Sequence, residues 1–237
     1  MPFLNPRPQL TIRISGRQLQ LGIRTIVMGI LNVTPDSFSD GGLYLETHRA
    51  VQHARDMARQ GADWVDVGGE STRPGSSPVG AEEELRRVLP VIGSIRRAMP
   101  KLPISIDTTK AIVAEQALRA GANIVNDVSG LRFDPRLADV VRRFRAPLVL
   151  THLRGRPATM QAGPFARSIF RSLSRGLNWS IRRAVSLGVP RSQLIVDPGL
   201  GFGKTRLQNF QIFARLDFLK RFGLPVLVGA SRKSFIR

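Results

Sequence analysis

The sequence has no cysteine, which excludes a disulfide framework, a thiolate-ligated zinc site and a thiol nucleophile. It also has no apolar run near the ~18 residues that a membrane span needs. Its start, MPFLNPRPQL, is broken by three prolines where a secretory leader would be apolar, so a soluble, cytoplasmic protein is expected. Acidic residues are scarce: 17 Asp plus Glu stand against 36 Lys plus Arg, a formal charge of +19 that favours anionic partners, either phosphorylated metabolites or nucleic acid. The basic residues are mostly Arg and are dispersed, as in RRFR (142–145) and SIRRAV (180–185). With no uninterrupted basic arm, solvated helix faces are the better reading than a nucleic-acid site. Histidine is nearly absent too. His48 and His53 are five apart and do not share a helix face, and His152 reads as a hydrogen-bonded structural histidine, so no zinc site is expected.

What is present is an alternation. Short β-rich runs occur at IVMGIL (26–31), WVDVGG (64–69), ISID (104–107), NIVNDVSG (123–130), PLVLTH (147–152), LIVDPG (194–199) and PVLVGAS (225–231). Between them lie helical stretches, among them ETHRAVQHARDMARQG, whose helix opens near Thr47, EEELRRVLPVIGSIRRA after Gly80, and TKAIVAEQALRAG, which stops at Gly121. Successive βα units imply parallel strands, and runs apolar on both faces imply strands covered on both sides. LTIRI and RQLQLG flank Ser15-Gly16 and predict an N-terminal hairpin that plugs one barrel end. A chain of 237 residues fits one such domain, spanning 1–237.

The strand candidates end in polar residues: Asn32, Glu70, Asp107, Asn126 with Asp127, His152, Asp197 and Lys233. Functional groups spread over many strand ends suit a barrel, whereas an open doubly wound sheet gathers them at one switch point. DPGLGFGKT nearly spells a phosphate-binding G-x-x-x-x-G-K-[ST], but Pro198 stands where the first glycine belongs, and Gly199, Gly201 and Gly203 do not give G-x-G-x-x-G. These glycines suit either a tight turn or a close approach to a flat ring, with Phe202 as an apolar neighbour. The loop NVTPDSFSDGG (32–42) is longer than a connection requires, which points to a functional loop.

NVTPDSFSDGG, DVGGESTRPGS (66–76), SIDTTK (105–110), IVNDVSG (124–130), THLRGRPATMQ (151–161), DPGLGFGK (197–204) and VGASRKSFI (228–236) together resemble the motifs of dihydropteroate synthase, in that family's order. The resemblance implies an α/β fold, a TIM-type (β/α)8 pterin-binding barrel. It also implies a transferase of folate biosynthesis that joins 6-hydroxymethyl-7,8-dihydropterin diphosphate to p-aminobenzoate, releasing pyrophosphate. By resemblance Asp107, Asn126 and Asp197 line the pterin pocket beside Phe202. Asp107 and Asp197 stabilise positive charge on the ring, and Lys233 binds the carbonyl side. Asn32 holds the diphosphate and its Mg²⁺, Thr72 and Arg73 complete a closed form under the 34–42 loop, and Ser234 takes the p-aminobenzoate carboxylate. Members are commonly homodimers. Carboxylates suit a row of ring N–H groups, since charge-assisted hydrogen bonds are the strong ones. A helix N-terminus at Ser234 suits an anion.

Two departures set limits. Leu153 stands where the family usually has methionine, a mild swap. The sequence stops at SRKSFIR, before the family's eighth strand and its R-x-H pyrophosphate motif, so a barrel with its eighth strand missing and turnover weaker than pterin binding are expected. Two rivals stand beside the synthase: a catalytically impaired pterin-binding barrel related to methyltetrahydrofolate-corrinoid methyltransferases, and a basic nucleic-acid-binding protein.

Overall fold

The computed structural model describes residues 7–34, 42–71, 76–156, 159–163, 165–231, 233 and 235–236. Strands β1 (Leu10–Ile14) and β2 (Arg17–Leu21) pair antiparallel in register Leu10 to Leu21. Both turn residues, Ser15 (φ 47°) and Gly16 (φ 79°), take positive φ, the mirror-image turn whose twist matches that of the flanking strands.

Six strands then form one parallel sheet in chain order: β3 (Met28–Asn32), β4 (Trp64–Gly68), β5 (Ile104–Asp107), β6 (Ile124–Asp127), β7 (Leu148–Thr151) and β8 (Leu194–Asp197). Helices α1 (Gly42–Arg59), α2 (Ala81–Ala98), α3 (Ala111–Ala120), α4 (Leu137–Phe144), α5 (Ile169–Ser186) and α6 (Arg206–Ala214) follow them, as a (β/α) barrel requires. α1 opens at Gly42, five residues before the expected Thr47. α3 ends on Gly121 at φ 117°, the left-handed stop that its sequence predicts.

Because side chains alternate along a strand, each strand feeds two environments. Val65, Val67, Ile106, Val125, Leu150 and Val196 face the helices in the main core. Trp64, Ile124, Val149 and Ile195 form a second apolar cluster with Ile12 and Ile14 of the hairpin, which therefore stoppers the N-terminal end of the barrel. Two residues further along each strand the same inward row becomes polar. Trp64 gives way to Asp66, Ile124 to Asn126, Val149 to Thr151 and Ile195 to Asp197. A barrel plugged by apolar groups below and lined by polar groups above is thus written in the strand sequences.

The seventh strand expected over 225–231 shrinks to a single bridge, Val196 with Val226. Val196 N donates to Pro225 O and Leu227 N donates to Val196 O, each at 2.9 Å. The next ladder bonds in either direction would need N–H groups of Pro198 and Pro225, and proline has none. Beyond Leu227 the chain leaves the sheet, and Val228 and Ala230 pack against Leu200, Ile212 and Phe235. Among the described residues the parallel sheet therefore comprises six strands and this bridge.

Candidate active site

At the C-terminal rim the β4–β5–β6 register sets Gly68 beside Asp107 and Asp107 beside Asn126. A methyl group at Gly68 would lie 3.6 Å from Asp107 Oδ2 and 3.7 Å from Asn32 Oδ1, so the absence of a side chain there leaves these two oxygens facing a shared space. Asn126 and Asp197 are both buried. The Nζ of Lys233 lies 4.2 Å from the centre of the Phe202 ring, and its stem crosses Gly201. Phe202 packs with Val128, Leu153 and Met160 into an apolar wall, in which leucine at 153 is well accommodated. Outside Asp107 a cavity of about 220 Å³ opens, lined by Glu70, Thr108, Val128 and Phe133 among others.

The electrostatics follow from this crowding. Burial pushes the Asp107 carboxyl well above the usual range, and the negative groups of Asp66, Glu84 and Asp127 push it further, against the pull of Lys233. Burial likewise raises Asp197 to about 6, although the Gly199 N–H, which donates to Oδ1 at 2.7 Å, together with Lys204 and Lys233 oppose it. Lys233 is lowered by burial and held up by the two aspartates. The shift at Asp197 from 3.8 to about 6 is a penalty of about 3 kcal/mol against the ionised form at neutral pH. A ligand that offers N–H groups relieves it.

Several rim residues do other work. Asp127 is fully buried and accepts from the N–H groups of Ser129 and Leu131, which makes it a turn anchor. His152 faces outward to α5, where its Nε2 lies 3.3 Å from Ser172 Oγ, and burial among Lys204, Arg132 and Arg154 keeps it neutral. Glu70 accepts from Val79 N and, at 2.5 Å, from Lys110, which also donates to the fully buried Glu84 at 2.5 Å. Lys110→Met leaves the Glu84 carboxylate buried without its cation, so a loss of about 3–5 kcal/mol is expected in urea unfolding at pH 8. Burial raises the Glu84 pKa, so the loss should shrink as the pH falls and Glu84 becomes neutral. A pH-independent loss contradicts this.

The glycine loop after β8 serves the backbone. Gly199 (φ 65°) takes a conformation that disfavours a side chain, and a Cβ there would lie 2.3 Å from His152 O. Lys204, buried beneath this loop, donates to His152 O at 2.9 Å, Gly199 O at 2.7 Å and Phe202 O at 2.9 Å. Its ammonium thus meets three carbonyls, one per N–H. Burial pulls it down to about 7, while Asp197 and these carbonyls favour the charged form. The structure therefore brings together Asn32, Asp107, Asn126, Asp197, Phe202 and Lys233. Thr72, Arg73, Ser234 and the 35–41 part of the first loop lie outside the described residues. Asp66, Ser105, Lys110 and Lys204 escape the sequence reading. The clearest sign of them is a charged residue inside a strand, as in WVDVG.

A barrel stoppered at one end, with an apolar wall and converging carboxylates at the other, defines a small-molecule enzyme site, and the family of pterin binding enzymes matches residues 28–237. Dihydropteroate synthase from Synechocystis sp. is 47% identical over 215 residues, covering 91% of this chain and 74% of that protein. Dihydropteroate synthase from Xanthomonas albilineans, solved with 4-aminobenzoic acid, superposes with a TM-score of 0.88 at 44% identity, covering 97% of this chain and 81% of the other. The same enzyme in complex with 7,8-dihydropteroate gives 0.82 at 41% identity, covering 97% and 80%. The chain belongs to the dihydropteroate synthase family.

Proposed function

We propose that this chain is a dihydropteroate synthase that condenses 6-hydroxymethyl-7,8-dihydropterin diphosphate with p-aminobenzoate, giving 7,8-dihydropteroate and pyrophosphate. The observation that carries this reading is the convergence of Asp107, Asn126, Asp197 and Lys233 around the Phe202 wall. In the reaction the bond from the pterin methylene carbon to the diphosphate oxygen breaks, and pyrophosphate leaves with the electron pair. The arylamine nitrogen then bonds to that carbon and loses a proton. Ionised Asp107 and Asp197 accept pterin N–H groups and stabilise the delocalised cation, while Lys233 donates to the ring carbonyl. Phe202 and its neighbours hold the ring flat, which positions the carbon for capture. By resemblance Thr72 and Arg73 keep their role in completing the closed form, and Ser234 its role in binding the p-aminobenzoate carboxylate.

Mg²⁺ belongs to the same proposal. Among the described residues no group of three His, Asp or Glu side chains is placed to hold a metal. Magnesium at diphosphate sites commonly takes one or two protein oxygens, the rest coming from phosphate and water. The Asn32 carboxamide oxygen, beside Asp107 at the rim, fits such a one-ligand role. When bound, the ion neutralises charge on the departing pyrophosphate. No described helix is long and apolar enough to cross a membrane. We further place the enzyme in the cytoplasm, as a homodimer of single pterin-binding domains spanning 1–237. The exposed Leu207, Phe210 and Phe213 of α6 support the pairing, which sedimentation tests.

Incubation with the pterin diphosphate, p-aminobenzoate and Mg²⁺ should yield 7,8-dihydropteroate and one equivalent of pyrophosphate. Absence of both products at micromolar enzyme overturns the reading. Pterin affinity should also depend on pH: because the complex favours ionised Asp197, binding below about pH 6 must release a proton. Titrations from pH 4.5 to 8 should show affinity falling as the pH drops, by at most about tenfold per unit for this one proton. Asp197→Asn should remove this proton's share of the profile and leave that of Asp107, whose carboxyl burial also raises, and an inflection near pH 6 unchanged in that variant rules out Asp197 as its source.

A further inference from the structure

Asp66 lies one inward step below Gly68 on β4 and is 4% exposed, beneath the pocket and away from the rim. Its Oδ1 accepts from Ser105 Oγ at 2.5 Å and its Oδ2 accepts from Asn126 Nδ2 at 2.9 Å. An ionised carboxylate only accepts hydrogen bonds, whereas a carboxamide has a donating and an accepting end of nearly the same shape. Asp66 therefore decides which way round Asn126 sits. With Nδ2 directed down to Asp66, Asn126 Oδ1 is left as the other end, and that oxygen is buried without a hydrogen-bond partner. A buried acceptor with no partner costs stability unless something supplies an N–H.

We propose that Asp66 is a positioning residue: it locks the Asn126 carboxamide so that the pocket offers only an acceptor there, selecting the N–H-bearing edge of the pterin ring. The inference rests on the proposed pterin site. Its chemical consequence is an asymmetric pocket, with Asp107, Asn126 Oδ1 and Asp197 all accepting and Lys233 donating. A heterocycle that places a lone pair opposite Asn126 is turned away, because the amide cannot rotate without setting its oxygen against the Asp66 carboxylate. Ser105 holds the second oxygen of Asp66, so that carboxylate does not swing free.

The test is calorimetric titration of the full chain with 6-hydroxymethyl-7,8-dihydropterin. Asp66→Ala and Asn126→Ala should each weaken binding by about tenfold or more, and the double variant should bind within about threefold of Asn126→Ala alone, because both changes remove one interaction. Asp66→Asn should bind between Asp66→Ala and the unsubstituted chain, because an amide at this position fills the space but no longer offers acceptors alone. Its amide can turn its oxygen to Asn126 Nδ2 or, the other way round, its N–H₂ to Asn126 Oδ1, with Ser105 Oγ serving either orientation. In turnover, KM for p-aminobenzoate should stay within about twofold, since Asp66 acts through the pterin side only. Losses that multiply in the double variant, or Asp66→Ala binding within twofold of the unsubstituted chain, overturn the proposal. So does Asp66→Asn binding as tightly as the unsubstituted chain, a result that also decides the matter if Asp66→Ala does not fold. Failure of the unsubstituted chain to bind any pterin overturns the functional reading itself, a distinct outcome.

Discussion

Lys204→Met should lower the melting temperature by roughly 5–20 °C. Gly199 O keeps a second donor, the Phe202 N–H at 3.0 Å, but His152 O and Phe202 O lose the Lys204 ammonium. Two orphaned buried carbonyls at about 1–3 kcal/mol each amount to about 2–6 kcal/mol, a large share of the 5–15 kcal/mol typical of a domain. In a chain of this size each kcal/mol moves the midpoint by about 2–4 °C. Relief of the buried charge offsets part of the loss, so the lower end of the range is the firmer expectation. The loop that carries Phe202 and Gly201 should loosen with it, and pterin binding should weaken even at temperatures where the fold persists. A midpoint shift of less than 2 °C in a circular dichroism melt shows that the three carbonyls do not depend on this lysine.

Asp107→Ala and Asp197→Ala should each abolish measurable pterin binding at micromolar ligand while leaving the fold intact. Each variant deletes one charge-assisted partner of the ring, a loss of about 2–3 kcal/mol, or roughly 30- to 150-fold in affinity. Both carboxylates are held above their ordinary pKa range by burial, so their removal also deletes an unfavourable charge from the unliganded protein. Stability should therefore hold or rise at neutral pH for Asp107→Ala. Asp197→Ala also withdraws the nearest negative group from Lys204, which should cancel any gain. Unchanged calorimetric affinity in both variants removes these residues from the site.

The sequence carries the strand order, the hairpin and the Asp107, Asn126 and Asp197 trio because each is a local signal: apolar runs of strand length, a two-residue turn at Ser15-Gly16, and polar residues where such runs stop. It hides what depends on pairing across distance. Lys204 looks like the end of a spoiled phosphate loop until the structure brings His152 O, 52 positions away, against its Nζ. Asp66 sits within WVDVG, and only the β4–β5–β6 register reveals Ser105 and Asn126 beside it. Glu84 reads as one of three acidic residues opening α2, yet it is the fully buried one, matched by Lys110 from another loop. The curtailed seventh strand was in principle readable, since Pro198 and Pro225 can both be seen in the sequence. What was lacking was the alignment that sets them on either side of Val226.

The hairpin stopper has a consequence for traffic. With Ile12 and Ile14 seated against Trp64, Ile124, Val149 and Ile195, nothing passes through the bottom of the barrel. Among the described residues the chamber is closed below by the hairpin and opens at the C-terminal rim. Whatever docks deepest must arrive first and depart last, so on the proposed function, with the pterin at Asp107 and Asp197, the pterin enters before the arylamine. On the same proposal the joined product, anchored at its pterin end, leaves through the rim by which both halves came.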